Sequence, residues 1–308
     1  MLRIASLVTL LSSLSLVAFA GTAPPPIVGG TDAAPGAWPD VVAVLGEGGA
    51  LCTGTLLAAD LVLTAAHCIE AHPVEVVIGS VDLARPDGER RTVKWSRAYP
   101  SWLDQYDVGV IMLENPVFAK PRAIVQDCAI GDRFAAGASV QLVGFGLTTA
   151  AGTGDNTRLH QATVPVIDAS CTDDPSCAPA VAPDGEFTAG GQGTDACFGD
   201  SGGPVYLETP TGTGLIGVVS RGLTSFTQPC GEGGVYVRAD ADKVVAWIEE
   251  VSGRKLTRVP CDLPADAADP VPEEAGCNVA GAGPGSLAAC VAALGLCCLR
   301  RRRPVARA

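Results

Sequence analysis

The stretch Asp195-Ala196-Cys197-Phe198-Gly199-Asp200-Ser201-Gly202-Gly203-Pro204 sets one hydroxyl, that of Ser201, in a glycine-rich turn directly after a carboxylate. A serine hydroxyl is a weak nucleophile at neutral pH unless a base takes its proton. The oxyanion formed on attack also needs backbone N–H donors aimed at it. Gly199 is suited to supply one donor beside the N–H of Ser201 itself, because a residue without a Cβ lets substrate approach the backbone and tolerates a tight turn. Taken alone, such a turn is equally compatible with an ordinary surface loop, so other parts of the chain must answer to it.

Upstream, Leu63-Thr64-Ala65-Ala66-His67-Cys68 places a histidine beside a cysteine at the end of an apolar, strand-like run. The chain has only three histidines, and the other two, His72 and His160, read as packing or surface residues. Two further segments complete the set: Ile27-Val28-Gly29-Gly30, and Tyr106-Asp107-Val108-Gly109-Val110, where an aspartate precedes a strand. In their chain order, with His67 before Asp107 before Ser201, the four segments resemble the trypsin-like (chymotrypsin-fold) serine proteases, over roughly residues 27 to 252.

That resemblance implies an all-β chain of two antiparallel six-stranded β-barrels, with the active site in the cleft between them and a C-terminal helix. It implies His67 as general base, Asp107 as the group that orients the imidazole, and Ser201 as nucleophile. Gly199 and Ser201 would form the oxyanion hole, and Ser220 would support Asp107 and the substrate backbone. Asp195 matches the aspartate at the base of the primary specificity pocket, with Gly222 and Gly234 along its walls, so cleavage after Arg or Lys is expected. Arg221 departs from the family, where an aromatic usually follows the serine matched by Ser220.

The resemblance also bears on activation. A cut before Ile27 would free an ammonium that enters the protein and pairs with Asp200. Such a buried ion pair is costly to desolvate and disruptive when one partner is missing, which suits a switch. Pro26 stands where many family members carry Arg or Lys, so a different activating protease is expected.

Composition agrees with an exported protein. Among 308 residues 18% are charged and the net charge is -12, which disfavours nucleic acid as a partner. Twelve cysteines without zinc-type pairs point to disulfides in an oxidising compartment. The resemblance implies the pairs Cys52–Cys68 and Cys197–Cys230; Cys171 and Cys177 suit a local loop, and Cys128 is left to Cys261. Arg3, the apolar run Ile4 to Phe19 and Ala18-Phe19-Ala20 read as a signal peptide over residues 1–20. Residues 21–26 would then be a short pro-segment.

Short apolar runs separated by Gly, Asp and Pro predict strands at Val41 to Leu45, Leu51 to Leu57, Leu61 to Leu63, Val74 to Ile78, Thr92 to Trp95 and Val108 to Leu113. A second set is predicted at Ser139 to Phe145, Gln161 to Val166, Gly203 to Leu207, Leu215 to Val219 and Gly234 to Val237. Val244, Ile248 and Val251 share one helical face, with Gly253 as a stop, predicting a closing helix.

Beyond Gly253 the composition turns to Pro, Ala, Asp and Glu, an expected linker over residues 254–276. Cys277, the uncharged run Val279 to Leu299 and Arg300 to Arg303 follow in residues 277–308. This tail resembles the C-terminal sorting tags of myxobacterial surface proteins, and a plain membrane anchor is the alternative. The tail implies membrane contact and a sorting protease acting near Cys277, so the protein would be secreted or held at the cell surface or outer membrane.

The function expected is a serine endopeptidase acting on protein or peptide substrates, with no metal or organic cofactor. The alternative is a protease-like binding protein that has lost catalysis. The presence of every reactive position favours the enzyme.

Overall fold

Valine, leucine and isoleucine favour pleated segments because branched side chains pack well on a pleated face, and the intervening glycines, prolines and aspartates end each one. The computed structural model describes residues 26–172, 174–223 and 228–261. The first six strands after an initial short one are β2 (Val41–Gly46), β3 (Leu51–Ala58), β4 (Leu61–Thr64), β5 (Pro73–Ile78), β6 (Glu89–Ala98) and β7 (Gly109–Leu113). They close in the order β2-β3-β4-β7-β6-β5, with every neighbouring pair antiparallel. Val42, Val44, Leu56, Val62, Ile78 and Ile111 fill the interior.

The second barrel uses β8 (Ser139–Gly144), β9 (His160–Asp168), β10 (Glu186–Ala189), β11 (Pro204–Thr209), β12 (Gly212–Gly222) and β13 (Gly234–Arg238). Their order is β9-β10-β13-β12-β11-β8, and pairing of β8 with β9 closes the ring. β9 shows the half-buried period of two: His160, Ala162, Val164 and Val166 point in, while Thr163, Pro165 and Ile167 are exposed. The initial strand β1 (Thr31–Asp32) adds to β9.

The two barrels are fastened by a polar cluster under Trp38. Asp40 accepts hydrogen bonds from Arg122 Nε at 3.0 Å and from the Tyr206 hydroxyl at 2.6 Å, and Trp38 stacks on Tyr206 with ring centroids 4.7 Å apart. A buried carboxylate met by a guanidinium and a phenol is satisfied, so the interface keeps its charge without an orphan group.

The closing helix runs Asp242–Ser252 and buries Val244, Trp247 and Ile248. Gly253 ends it at φ 64°, its N–H reaching Glu249 O at 2.9 Å, the left-handed stop that glycine accepts most readily. Packing continues past the boundary expected at 253: Leu256 and Val259 are buried, Val259 N–H donates to Ile124 O, and Cys261 is bonded to Cys128. The disulfides Cys52–Cys68, Cys171–Cys177 and Cys197–Cys230 are also formed.

The second barrel's sixth strand, β10, has no counterpart among the predicted runs. All four of its residues are buried, but Glu186 and Thr188 interrupt Phe187 and Ala189, so no apolar run marks it. The expected signal peptide, residues 21–25 of the pro-segment and everything after residue 261 lie outside the described residues. Among the described residues no helix is long and apolar enough to cross a membrane.

Candidate active site

His67 sits in the single helical turn Ala66–Ile69 that follows β4, and Asp107 lies two residues before β7, the strand paired with β4. Pairing of those strands brings the two side chains together. Asp107 Oδ1 accepts the His67 backbone N–H at 3.0 Å, and Oδ2 accepts Nδ1–H at 2.8 Å. The Ser220 hydroxyl donates to the same Oδ2 at 2.7 Å. A carboxylate can only accept, so the proton is held on Nδ1 and Nε2 is left as the basic nitrogen. Burial works against the Asp107 charge, but hydrogen bonds and charge from His67, with the Ser220 bond, hold its carboxyl below the usual range.

Ser201 stands in the turn between β10 and β11. Asp200 N–H bonds back to Cys197 O at 3.0 Å and Gly203 N–H to Asp200 O at 2.8 Å, which makes the turn tight. Gly202, at φ 79°, has no room for a side chain, since a Cβ there would lie 2.0 Å from Thr64 Oγ1. The Ser201 hydroxyl makes no hydrogen bond to His67; both residues line one cleft of about 940 Å³, shared with Asp107, Gly199 and Asp195. Trp102, Leu103 and Phe198 give this cleft an apolar rim.

Asp195 is wholly buried at the cleft. Its Oδ1 accepts the Ala196 N–H at 2.7 Å and the Tyr236 hydroxyl at 3.1 Å, and Oδ2 accepts the Gly233 N–H at 3.1 Å. Burial pushes its pKa up to about 6 against these hydrogen bonds. Gly222 and Gly234 also line the cleft. A Cβ on Gly234 would approach Tyr236 Oη to 3.1 Å, so the missing side chain keeps the space beside Asp195 free.

Asp200 turns away from Ser201 into the second barrel. Its two oxygens accept N–H groups of Gly146 and Cys197, each at 2.8 Å. Among the described residues no cation pairs with it. Burial, aided by the Asp195 charge, pushes its pKa up to about 7 against those two bonds. Ile27 is fully buried in the same barrel, and Val28 O accepts the Asp195 N–H at 3.0 Å. With the chain uncut, Ile27 holds φ 36°, a region a β-branched residue adopts only under constraint.

Arg221, the departure noted in the sequence, turns onto Glu186 of β10. Its Nη1 and Nη2 meet the two carboxylate oxygens at 2.7 and 2.9 Å, and Nη2 also reaches Ser176 O at 2.7 Å. Glu186 is fully buried and also accepts the Ala178 N–H at 2.6 Å. Glu186, Tyr236 and Thr53 were not among the residues singled out from the sequence. Each lies inside a strand whose local pattern carries no sign of a distant partner.

The family model for Trypsin matches residues 27–248. Coagulation factor XII of Sus scrofa is 32% identical over 252 residues, covering 73% of this chain and 39% of that protein. Serine protease 56 of Homo sapiens is 32% identical over 300 residues, covering 90% of this chain and 48% of that protein. Coagulation factor XII of Bos taurus is 31% identical over 247 residues, 73% of this chain and 39% of that protein. The chain thus spans less than half the length of these relatives. With two closed barrels, a cleft between them and this match over most of its described length, the chain belongs to the trypsin family of serine endopeptidases.

Proposed function

We propose that the chain is an exported endopeptidase that hydrolyses peptide bonds after Arg or Lys through Ser201, His67 and Asp107. His67 Nε2 takes the Ser201 proton as the hydroxyl attacks the carbonyl carbon, and returns it to the leaving amine. Asp107, held by two N–H groups and the Ser220 hydroxyl, keeps the imidazole in the reactive tautomer and balances its charge once it is protonated. The N–H groups of Gly199 and Ser201 receive the developing oxyanion. Water then repeats the sequence on the acyl-enzyme.

The observation that carries this reading is the hydrogen-bonded Asp107–His67 pair in one cleft with Ser201 and the buried carboxylate of Asp195. A buried carboxylate recovers lost solvation from a cationic substrate side chain and from little else. Arg should exceed Lys, because a guanidinium can meet the carboxylate in a fork and Ala196 offers no hydroxyl to an ammonium.

On the same reading residues 1–20 direct export and are removed. Another protease then cuts after Pro26, and the new Ile27 ammonium pairs with Asp200. The tail from Cys277 is processed by a sorting protease or holds the protein at a membrane. The test is to treat protein beginning at Ile27 with a serine-directed phosphonate and to profile its cuts in a peptide mixture. Label on Ser201 with cuts after Arg and Lys is the expected result. Cuts mainly after Phe, Leu or Ala would refute the specificity.

A further inference from the structure

We infer that Thr53, a residue of the first barrel, is a positioning residue for the oxyanion site formed by the second. The inference rests on the reading of Gly199 and Ser201 given above.

Two peptide planes meet at Gly199, and only one carries the N–H that faces an oxyanion. In that plane, Phe198–Gly199, the carbonyl of Phe198 accepts the Leu147 N–H at 2.9 Å. In a trans peptide the N–H points opposite to the C=O, so this bond directs the Gly199 N–H away from Leu147. The second plane, Gly199–Asp200, presents the Gly199 carbonyl, and here the Thr53 hydroxyl donates to it at 2.7 Å. Gly199 has φ 104° and no Cβ, so sterics alone leave rotation between the planes soft. With one plane held by Leu147 and the other by Thr53 at its carbonyl and by Cys197 O at the Asp200 N–H, that freedom is removed.

Thr53 is itself firmly held. It is fully buried, and its hydroxyl accepts the Phe145 N–H at 3.2 Å, which leaves its proton for Gly199. Its carbonyl accepts the Thr64 hydroxyl at 2.8 Å, and its N–H donates to Ser201 O at 2.8 Å. One residue of β3 therefore grips the nucleophile turn on both sides of Asp200. The backbone N–H holds Ser201 whatever the side chain is; the grip on Gly199 requires a hydroxyl at this position.

The test compares wild-type protein beginning at Ile27 with Thr53→Val and Thr53→Ser. Valine keeps volume and backbone and removes only the hydroxyl, while serine keeps it. With a peptide amide carrying Arg before the scissile bond, Thr53→Val should lower kcat about tenfold to a hundredfold, the scale of a small misplacement of reacting groups, with KM within about twofold. Thr53→Ser should stay within about threefold of wild type. Affinity for an arginyl peptide aldehyde, which forms an oxyanion on Ser201 without turnover, should fall by the same factor as kcat/KM. Affinity for benzamidine, a cation that needs only the Asp195 pocket, should not change.

A Thr53→Val protein with wild-type kcat and aldehyde affinity would overturn the inference. So would loss of benzamidine binding in step with kcat, or a serine variant no better than valine. Wild-type protein that binds benzamidine but neither hydrolyses peptides nor takes up the aldehyde would instead strike at the proposed function, and with it the role of Thr53.

Discussion

Replacing Asp200 with Asn in the uncut chain should change how stability depends on pH. Asp200 is buried with two backbone N–H donors and no cation among the described residues, and its pKa rises from 3.8 to about 7. Between those values the folded state binds a proton that the unfolded state has released, so stability falls as pH rises. At about 1.4 kcal/mol per pH unit over roughly three units, the fall between pH 4 and pH 8 is about 4 kcal/mol. That is a large part of a domain stability of about 5–15 kcal/mol. Asp195, pushed up to about 6, titrates in the same window in both proteins.

The assay is urea unfolding of Gly21-initiated protein, carrying Ser201→Ala to prevent self-cleavage, with and without Asp200→Asn. The stability difference between the two should shift by about 4 kcal/mol in favour of Asn from pH 4 to pH 8. In protein beginning at Ile27 the proposed ammonium pairs with Asp200, so the shift should vanish and Asn should be the less stable form at neutral pH. A difference that stays flat from pH 4 to pH 8 in the uncut protein would refute the account of Asp200 as an uncompensated buried carboxyl.

Other outcomes follow from the site and from the sequence. Ser201→Ala in the Ile27 form should lower kcat by about a millionfold, measured by peptide hydrolysis under single-turnover conditions. Asp195→Ser should cut the preference for Arg over neutral residues by about a thousandfold or more, read from competing substrates; an unchanged preference would exclude Asp195 as its source. Arg221→Ala should destabilise the fold by about 3 kcal/mol, because it strands the buried Glu186 carboxylate, and Arg221→Leu combined with Glu186→Leu should recover most of that in thermal unfolding. Cys277→Ser should alter release or retention of the exported protein, followed by mass and fractionation of native cells.

Asp195-Ala196-Cys197-Phe198-Gly199-Asp200-Ser201, the histidine before Cys68 and the aspartate before Val108 were legible because each is a local pattern: a turn, a strand end, a strand start. So were eleven of the strands, as short apolar runs between turn residues, and the closing helix, whose apolar residues share one face. β10 escaped because Glu186 and Thr188 break up its apolar residues, so a segment buried at all four positions shows no apolar run. What the tertiary structure alone decided are encounters between distant residues. Thr53 reaches Gly199 across 146 positions, and Arg221 reaches Glu186 across 35. A hydroxyl in a strand or an arginine at a strand end looks the same in sequence whether it faces water or a partner. Only closure of the two barrels, which brings β3 against the nucleophile turn and sets β13 between β12 and β10, determines which groups lose their water and must be paired.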